Sequence, residues 1–289
     1  MPGAPAALCA KGFFNPAKRR GGGEATEAIF YSAIGPTLDV RMPPCVYAGV
    51  DETTGHGLVL MQDLVAAGAT FLDGRSSYSC EQAAASLDQL AELHATTWGV
   101  LADDVPPALI ARLPKLAALV DPARLQTLLD DGRAADLPER VRDAARVLDA
   151  IAALASTAEA GPACIVHGDL HTGNLYELAD GSPGLIDWQV VQRGNWALDV
   201  AYHLAAVLDP DEAARSERSL LDHYRGGLAA RGVEPPSPDD AWRAYRAHVA
   251  YGFFMWGITR QAERSVIEHL TTRLGEAVAR HTSFDVLGV

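Results

Sequence analysis

Residues His167-Gly168-Asp169-Leu170-His171-Thr172-Gly173-Asn174 gather a carboxylate, an amide and two imidazoles on one short stretch. Moving a phosphoryl group from ATP to a hydroxyl needs a carboxylate beside the attacking oxygen and oxygen ligands for the metal that neutralises the phosphates. Asp169 is suited to the first task, and Asn174, five positions later, to the second. A second metal ligand should be a carboxylate from another strand, because Mg²⁺ is held by one or two protein oxygens together with phosphates and water. Asp187, which follows the apolar Leu185-Ile186 and precedes Trp188, meets that requirement.

Two other readings compete. His167, Asp169 and His171 alternate, so in an extended segment they share a face and could chelate zinc, which would make a metal-dependent hydrolase. No further His or Cys at close ligand spacing completes such a site. The bland alternative is a polar loop capped locally by its own Asp, Thr and Asn side chains.

The elements that must position these residues follow from periodicity. Cys164-Ile165-Val166 is a short buried strand that delivers His167, and residues 184–186 are a second that delivers Asp187. Between them residues 175–184 allow one hairpin, with Asp180-Gly181 as its turn. Upstream, residues 6–14 form an apolar strand with Lys11 as its one charge, followed by a basic and Gly-rich connection through residues 16–23. Residues 24–34 have helical spacing and stop at Gly35-Pro36. Residues 45–50 and 57–61 pair as a hairpin across the turn-rich residues 51–55. Residues 81–98 are an amphipathic helix carrying Leu87, Leu90, Ala91, Leu93 and His94 on one face. Helices are also expected over 107–119 and 138–155, and almost throughout 196–282, broken at Pro210 and at residues 235–238. Strands first and helices afterwards make an α+β chain with a small sheet lobe and a large helical lobe.

HGDLHTGNLY followed by LIDWQ resembles the signature of the aminoglycoside phosphotransferase and choline kinase-like superfamily, whose fold is that of protein kinases. The DWQ ending, Trp196-Ala197-Leu198-Asp199 and LAELHATTWG look closest to its ecdysteroid kinase-like branch. The resemblance implies that Asp169 is the catalytic base, that Asn174 and Asp187 bind magnesium, and that His167 and His171 shape the loop. Asp199 would brace that loop from the following helix. LCAKGFF resembles the strand whose lysine contacts the α- and β-phosphates, which makes Lys11 the candidate, and EAIFY the helix that supplies its partner, Glu27, with Glu24 as a rival. VLMQDL looks like the strand and hinge that receive adenine at Gln62, Asp63 and Leu64. Composition supports Lys11 independently: lysine occurs three times among 24 basic residues, so one kept inside an apolar strand calls for a specific reason.

The composition sets outer limits. The 289 residues are 48% hydrophobic and 21% charged, the profile of an ordinary globular chain. A net charge of −13 disfavours nucleic acid and anionic membrane as partners. Four scattered cysteines fit reduced thiols and a cytoplasmic setting, and no apolar run reaches the ~18 residues of a membrane span. The element order and the resemblance together imply an α+β, bilobal, protein-kinase-like fold, with an N-lobe over residues 1–63 and a helical C-lobe over 64–289. The N-lobe is expected to be truncated, since only seven residues precede Leu8 whereas the family has further strands and a phosphate-covering loop there. An upstream start, a nucleotide-binding pseudoenzyme and a shortened lobe that binds ATP weakly each account for that. The expected partners are ATP, Mg²⁺ and a small-molecule alcohol. Tyr251, Phe253, Phe254 and Trp256 are expected mostly in the core, and an apolar alcohol is favoured if some of them line the acceptor pocket.

Overall fold

The computed structural model describes residues 7–14, 23–157 and 161–289. The connection expected over residues 16–22 lies outside them. An antiparallel sheet opens the fold, with β1 (Leu8–Gly12), β2 (Cys45–Val50) and β3 (Gly57–Gln62) in the order β1-β3-β2. Lys11 pairs with Val59 and Cys9 with Met61. Directly opposite residues share a face of an antiparallel sheet. Lys11 therefore points to the same inner side as buried Val59 and Met61. The β2–β3 turn closes on Asp51, whose Oδ1 accepts from the backbone and hydroxyl of Thr54, and Gly55 supplies the positive φ of 66°.

Helix α1 (Gly23–Ile29) lies against this sheet and continues into a π-helical turn, Phe30–Ile34. Pro36 then permits only a 3₁₀ turn, Gly35–Thr37. The wider turn keeps Phe30 buried, stacked on Trp188 with ring centroids 4.2 Å apart. The sheet and the helical part are thus joined by aromatic packing as well as by chain.

The larger part contains α2 (Cys80–Thr96), α3 (Leu113–Leu119), α4 (Pro122–Leu128), α5 (Ala144–Thr157), α6 (Ala197–Val207), α7 (Pro210–Ala230), α8 (Pro238–Ile258), α9 (Arg264–His281) and α10 (Ser283–Leu287). Ser79 and Gln82 form a reciprocal capping box that starts α2. Every residue of α6 is buried, including Asp199 and His203, whose polar atoms are hydrogen-bonded as burial demands. It packs against α2, α7, α8 and α9, so it is the central rod from which the site is braced.

Two small antiparallel sheets carry the chemistry-bearing loops. One orders β4 (Thr70–Phe71), β6 (Leu175–Glu177) and β7 (Pro183–Leu185); the other pairs β5 (Ala163–Val166) with β8 (Gln192–Asn195). The hairpin expected over residues 175–184 is present, and its turn places Gly181 at φ 80°.

Some expectations need correction. The helix expected over 107–119 is a 3₁₀ turn, Pro107–Leu109, followed by α3, because Pro114 suits the first turn of a helix and not its interior. The helix expected from residue 138 begins at Ala144, and α4 was not anticipated. The helical run after α8 is broken at residues 259–263, where Arg133 caps the carbonyl ends of Trp256, Gly257 and Thr259. Strand β8, of sequence QRGN, has no apolar alternation and is fixed by backbone pairing to β5. Among the described residues no helix is long and apolar enough to cross a membrane.

Candidate active site

Strand β5 ends by delivering His167 into the loop. Gly168 turns the chain at φ 80°, and a Cβ there would lie 2.7 Å from the Val190 carbonyl, so both conformation and space call for glycine. From below, Asp199 in the first turn of α6 accepts the backbone N–H of His167 on Oδ2 and that of Gly168 on Oδ1, each at 2.7 Å. His94 Nε2 reaches the same Oδ2 at 3.1 Å, while its Nδ1 lies 2.8 Å from the Tyr224 hydroxyl. Burial pushes the Asp199 carboxyl up, but these donors outweigh it and hold it below its ordinary value. Asp199 is fully buried and ties the loop to the central helix.

The ring of His167 is also buried and doubly engaged. Its Nε2 lies 2.8 Å from the Ile186 carbonyl, which can only accept, so Nε2 carries the proton. Nδ1 is then free to accept the Asp169 N–H at 3.3 Å. His171 Nδ1 accepts the Gly173 N–H at 3.1 Å, and its ring meets the Trp256 ring edge-on at 5.1 Å. Burial lowers the His171 pKa and keeps the ring neutral near pH 7. Both nitrogens of His167 and Nδ1 of His171 are thus engaged, and among the described residues no group of three His, Cys, Asp or Glu side chains is arranged to hold a metal, which does not favour the zinc reading.

Asn174 donates from Nδ2 to the Asp169 carbonyl at 2.6 Å, and Ile186 N–H donates to the Asn174 carbonyl at 3.0 Å. An amide that donates through nitrogen leaves its oxygen as an acceptor. The Leu175–Leu185 pairing then brings Asp187 beside Asn174. Asp187 adopts φ 65° and ψ 66°, a left-handed conformation that costs a non-glycine residue on the order of 1 kcal/mol. Its side chain is 41% exposed and faces the cleft.

Lys11 joins both lobes at this point. Its Nζ is 2.8 Å from Glu27 Oε2 and 2.7 Å from Asp187 Oδ1. Glu27 Oε1 also accepts the Trp188 N–H at 3.2 Å. Burial by itself would lower the Lys11 pKa, but the Glu27 and Asp187 carboxylates outweigh it and hold the ammonium above the usual lysine value. Burial pushes the Glu27 carboxyl up, against the pull of Lys11. The side chain of its rival, Glu24, lies outside the described residues.

Gln62, Asp63 and Leu64 line the same cleft as Lys11, Glu27, Asn174 and Asp187, and its volume is about 500 Å³. The Asp63 N–H donates to the Ala7 carbonyl, and Asp63 Oδ1 accepts from Ala66, so this side chain is engaged within its own turn. The structure therefore brings together every residue expected at the metal, the phosphates and the hinge.

Sequence reasoning did not single out Tyr202, nor a contact role for Tyr251 or Trp256. Tyr202 donates to Asp169 Oδ1 at 2.9 Å, Trp256 Nε1 donates to the Tyr202 oxygen at 2.5 Å, and Tyr251 donates to the Gly168 carbonyl at 2.7 Å. One signal was available: Tyr202 lies three residues after Asp199, so on a helix both face the same loop. Phe253 and Phe254 are fully buried and offer no wall to an apolar acceptor.

A two-lobed α+β scaffold with a lysine strand, a carboxylate helix and two polar loops carrying Asp169, Asn174 and Asp187 is the bilobal kinase fold. Solved structures share it. The GDP complex of aminoglycoside 2'-phosphotransferase-IIIa matches at 17% identity, covering 92% of this chain and 85% of that one, with a TM-score of 0.56. A choline/ethanolamine kinase family protein from Mesorhizobium loti matches at 16% identity over 97% and 86%, with a TM-score of 0.55. Choline kinase LicA from Streptococcus pneumoniae matches at 16% over 96% and 86%, with a TM-score of 0.51. A family model, the phosphotransferase enzyme family, matches residues 19–248, and the chain belongs to that family. No curated protein sequence matches significantly.

Proposed function

We propose that the protein is an ATP- and Mg²⁺-dependent kinase that phosphorylates a hydroxyl of a small molecule. Nucleotide binds between residues 1–63 and 64–289. The observation that carries this reading is the junction at Lys11, where an ammonium from β1 is held between Glu27 and Asp187 in a cleft shared with Asn174 and the 62–64 segment. An ammonium held between two carboxylates at the wall of an open cleft is fixed in place and charged, as phosphate binding requires. The DWQ ending, Trp196-Ala197-Leu198-Asp199 and LAELHATTWG resemble the ecdysteroid kinase-like branch, which supports that branch as the chain's own.

The donor set fits magnesium. Asn174 presents a carbonyl oxygen whose amide nitrogen is already engaged, and Asp187 presents a partly exposed carboxylate, which together are the one or two hard protein oxygens that Mg²⁺ takes. When bound, the ion neutralises charge on the phosphate oxygens. Lys11 steadies the phosphates, the 62–64 backbone receives the base, and Asp169 orients the acceptor hydroxyl and takes its proton. His167, Asp199 and His94 act at one remove, keeping the Asp169 backbone in register. Catalysis is then mainly positioning and charge neutralisation.

Titration calorimetry with Mg-ATP tests the assignment. Asp187→Ala should lose nucleotide affinity and turnover together, whereas Asp169→Asn should bind nucleotide nearly as the wild type does and release no ADP. Equal Mg-ATP affinity for the wild type and Asp187→Ala would sink the metal assignment. Binding without turnover in the wild type would leave a nucleotide-binding protein that is not an enzyme.

A further inference from the structure

We propose that Tyr202, locked by Trp256, is a positioning residue that holds the Asp169 carboxylate in the rotamer that serves as base. This rests on the phosphotransfer reading of the site and goes beyond it, because these two side chains come from α6 and α8 and carry none of the loop motif.

The direction of both hydrogen bonds is fixed by chemistry. An indole N–H can only donate, so the 2.5 Å bond from Trp256 Nε1 uses the Tyr202 hydroxyl as acceptor. That leaves the single phenolic proton to be donated, and its partner at 2.9 Å is Asp169 Oδ1. Burial, and then the nearby Asp169 charge, push the Tyr202 phenol well up, so it stays a donor across the working pH range. Trp256 is confined in its turn: its side chain is buried and its ring packs edge-on to His171. Tyr202 is likewise confined, since a Cβ at Gly252 would come within 2.7 Å of its ring.

The consequence falls on the two oxygens of Asp169. The backbone of Asp169 is pinned at its N–H by His167 and at its carbonyl by Asn174. With Oδ1 taken by Tyr202, Oδ2 accepts no hydrogen bond among the described residues and is the oxygen left for an incoming hydroxyl. In the transfer, the acceptor oxygen bonds to the γ-phosphorus as the bond from that phosphorus to the β–γ bridging oxygen breaks. The bonding pair leaves with ADP, and the hydroxyl proton passes to Oδ2. A base confined to one rotamer enters this step already oriented, which a freely rotating carboxylate does not.

Two measurements test this on the full chain. First, unfolding free energies of the wild type, Tyr202→Phe, Asp169→Ala and the double variant form a cycle that reads the contact without any turnover; the two substitutions should be non-additive. Second, ADP release from Mg-ATP, with water as the acceptor, gives the rates. For Tyr202→Phe the kcat should fall roughly tenfold to a hundredfold, the size of a lost hydrogen bond to a charged group, with KM for ATP within about twofold. Trp256→Phe should show the same pattern more weakly, and it carries the kinetic test if Tyr202→Phe does not fold. Tyr245→Phe, which removes a buried phenol bonded to Glu217, is the control and should leave kcat unchanged. An additive cycle, or a kcat for Tyr202→Phe within about twofold of an active wild type, overturns the inference and leaves the phosphotransfer reading standing. A wild type that binds Mg-ATP without releasing ADP overturns both.

Discussion

Replacing Asp199 by asparagine probes how firmly the loop is tied to the central helix. Three donors converge on its two oxygens: the backbone N–H of His167 and His94 Nε2 on Oδ2, and the backbone N–H of Gly168 on Oδ1. An amide keeps one acceptor oxygen and turns an NH₂ toward the donor that faced the other. If its oxygen serves His167 and His94, the Gly168 N–H is orphaned against a second donor; the opposite flip orphans two. The loss combines one charge-assisted bond, about 1.5–3 kcal/mol, with one buried unpaired N–H, about 1–3 kcal/mol. We expect roughly 3–5 kcal/mol in all, a large part of the ~5–15 kcal/mol that holds a typical domain. Urea denaturation at pH 7, followed by tryptophan fluorescence, measures it. The acid limb gives a second check. The folded carboxyl is held below the ordinary 3.8, so its contribution is full above that value and disappears as pH falls through the folded pKa. The difference between wild type and variant should therefore narrow only in strong acid. A loss below about 1 kcal/mol at pH 7 would mean that the loop does not depend on Asp199, and the bracing argument would be wrong.

Arg133→Ala leaves three carbonyls at the end of α8 without their guanidinium donor. It should cost roughly 2–4 kcal/mol in the same assay, and a change under about 0.5 kcal/mol would show that water replaces the cap. His203 and His248 are buried, and burial depresses each pKa from 6.5 to about 4. Both are neutral in the fold, so their contribution is complete above pH 6.5 and is lost as pH falls toward 4. At pH 5 each costs about 2 kcal/mol relative to pH 7. His248→Leu should remove about half of that slope, and a stability profile already flat between pH 7 and 5 in the wild type would refute the assignment.

Much of the site was legible because its chemistry is local. Asp169 and Asn174 lie on one loop whose ends are set by an apolar strand and a hairpin, and the hairpin length alone fixes where Asp187 returns. The β2–β3 hairpin and α2 were also readable, since turn residues and a capping box act within a few positions of themselves. The errors fall where local signals are weak. Residues 107–119 contain enough apolar residues for a helix, yet the prolines divide it, and β8 has no strand pattern because its residues are held by β5.

The sequence by itself determined which groups are available to act: a carboxylate and an amide five positions apart, a second carboxylate one hairpin later, and a lysine conspicuous in an arginine-rich chain. Only the tertiary structure decided that Lys11 meets both Glu27, 16 residues away, and Asp187, 176 residues away, and that Tyr202 and Trp256 reach Asp169 from separate helices. The physical reason is range. Turn chemistry and helix periodicity are written within a few neighbouring residues, whereas a buried hydrogen bond between distant side chains exists only once packing has excluded water and left each donor a single partner.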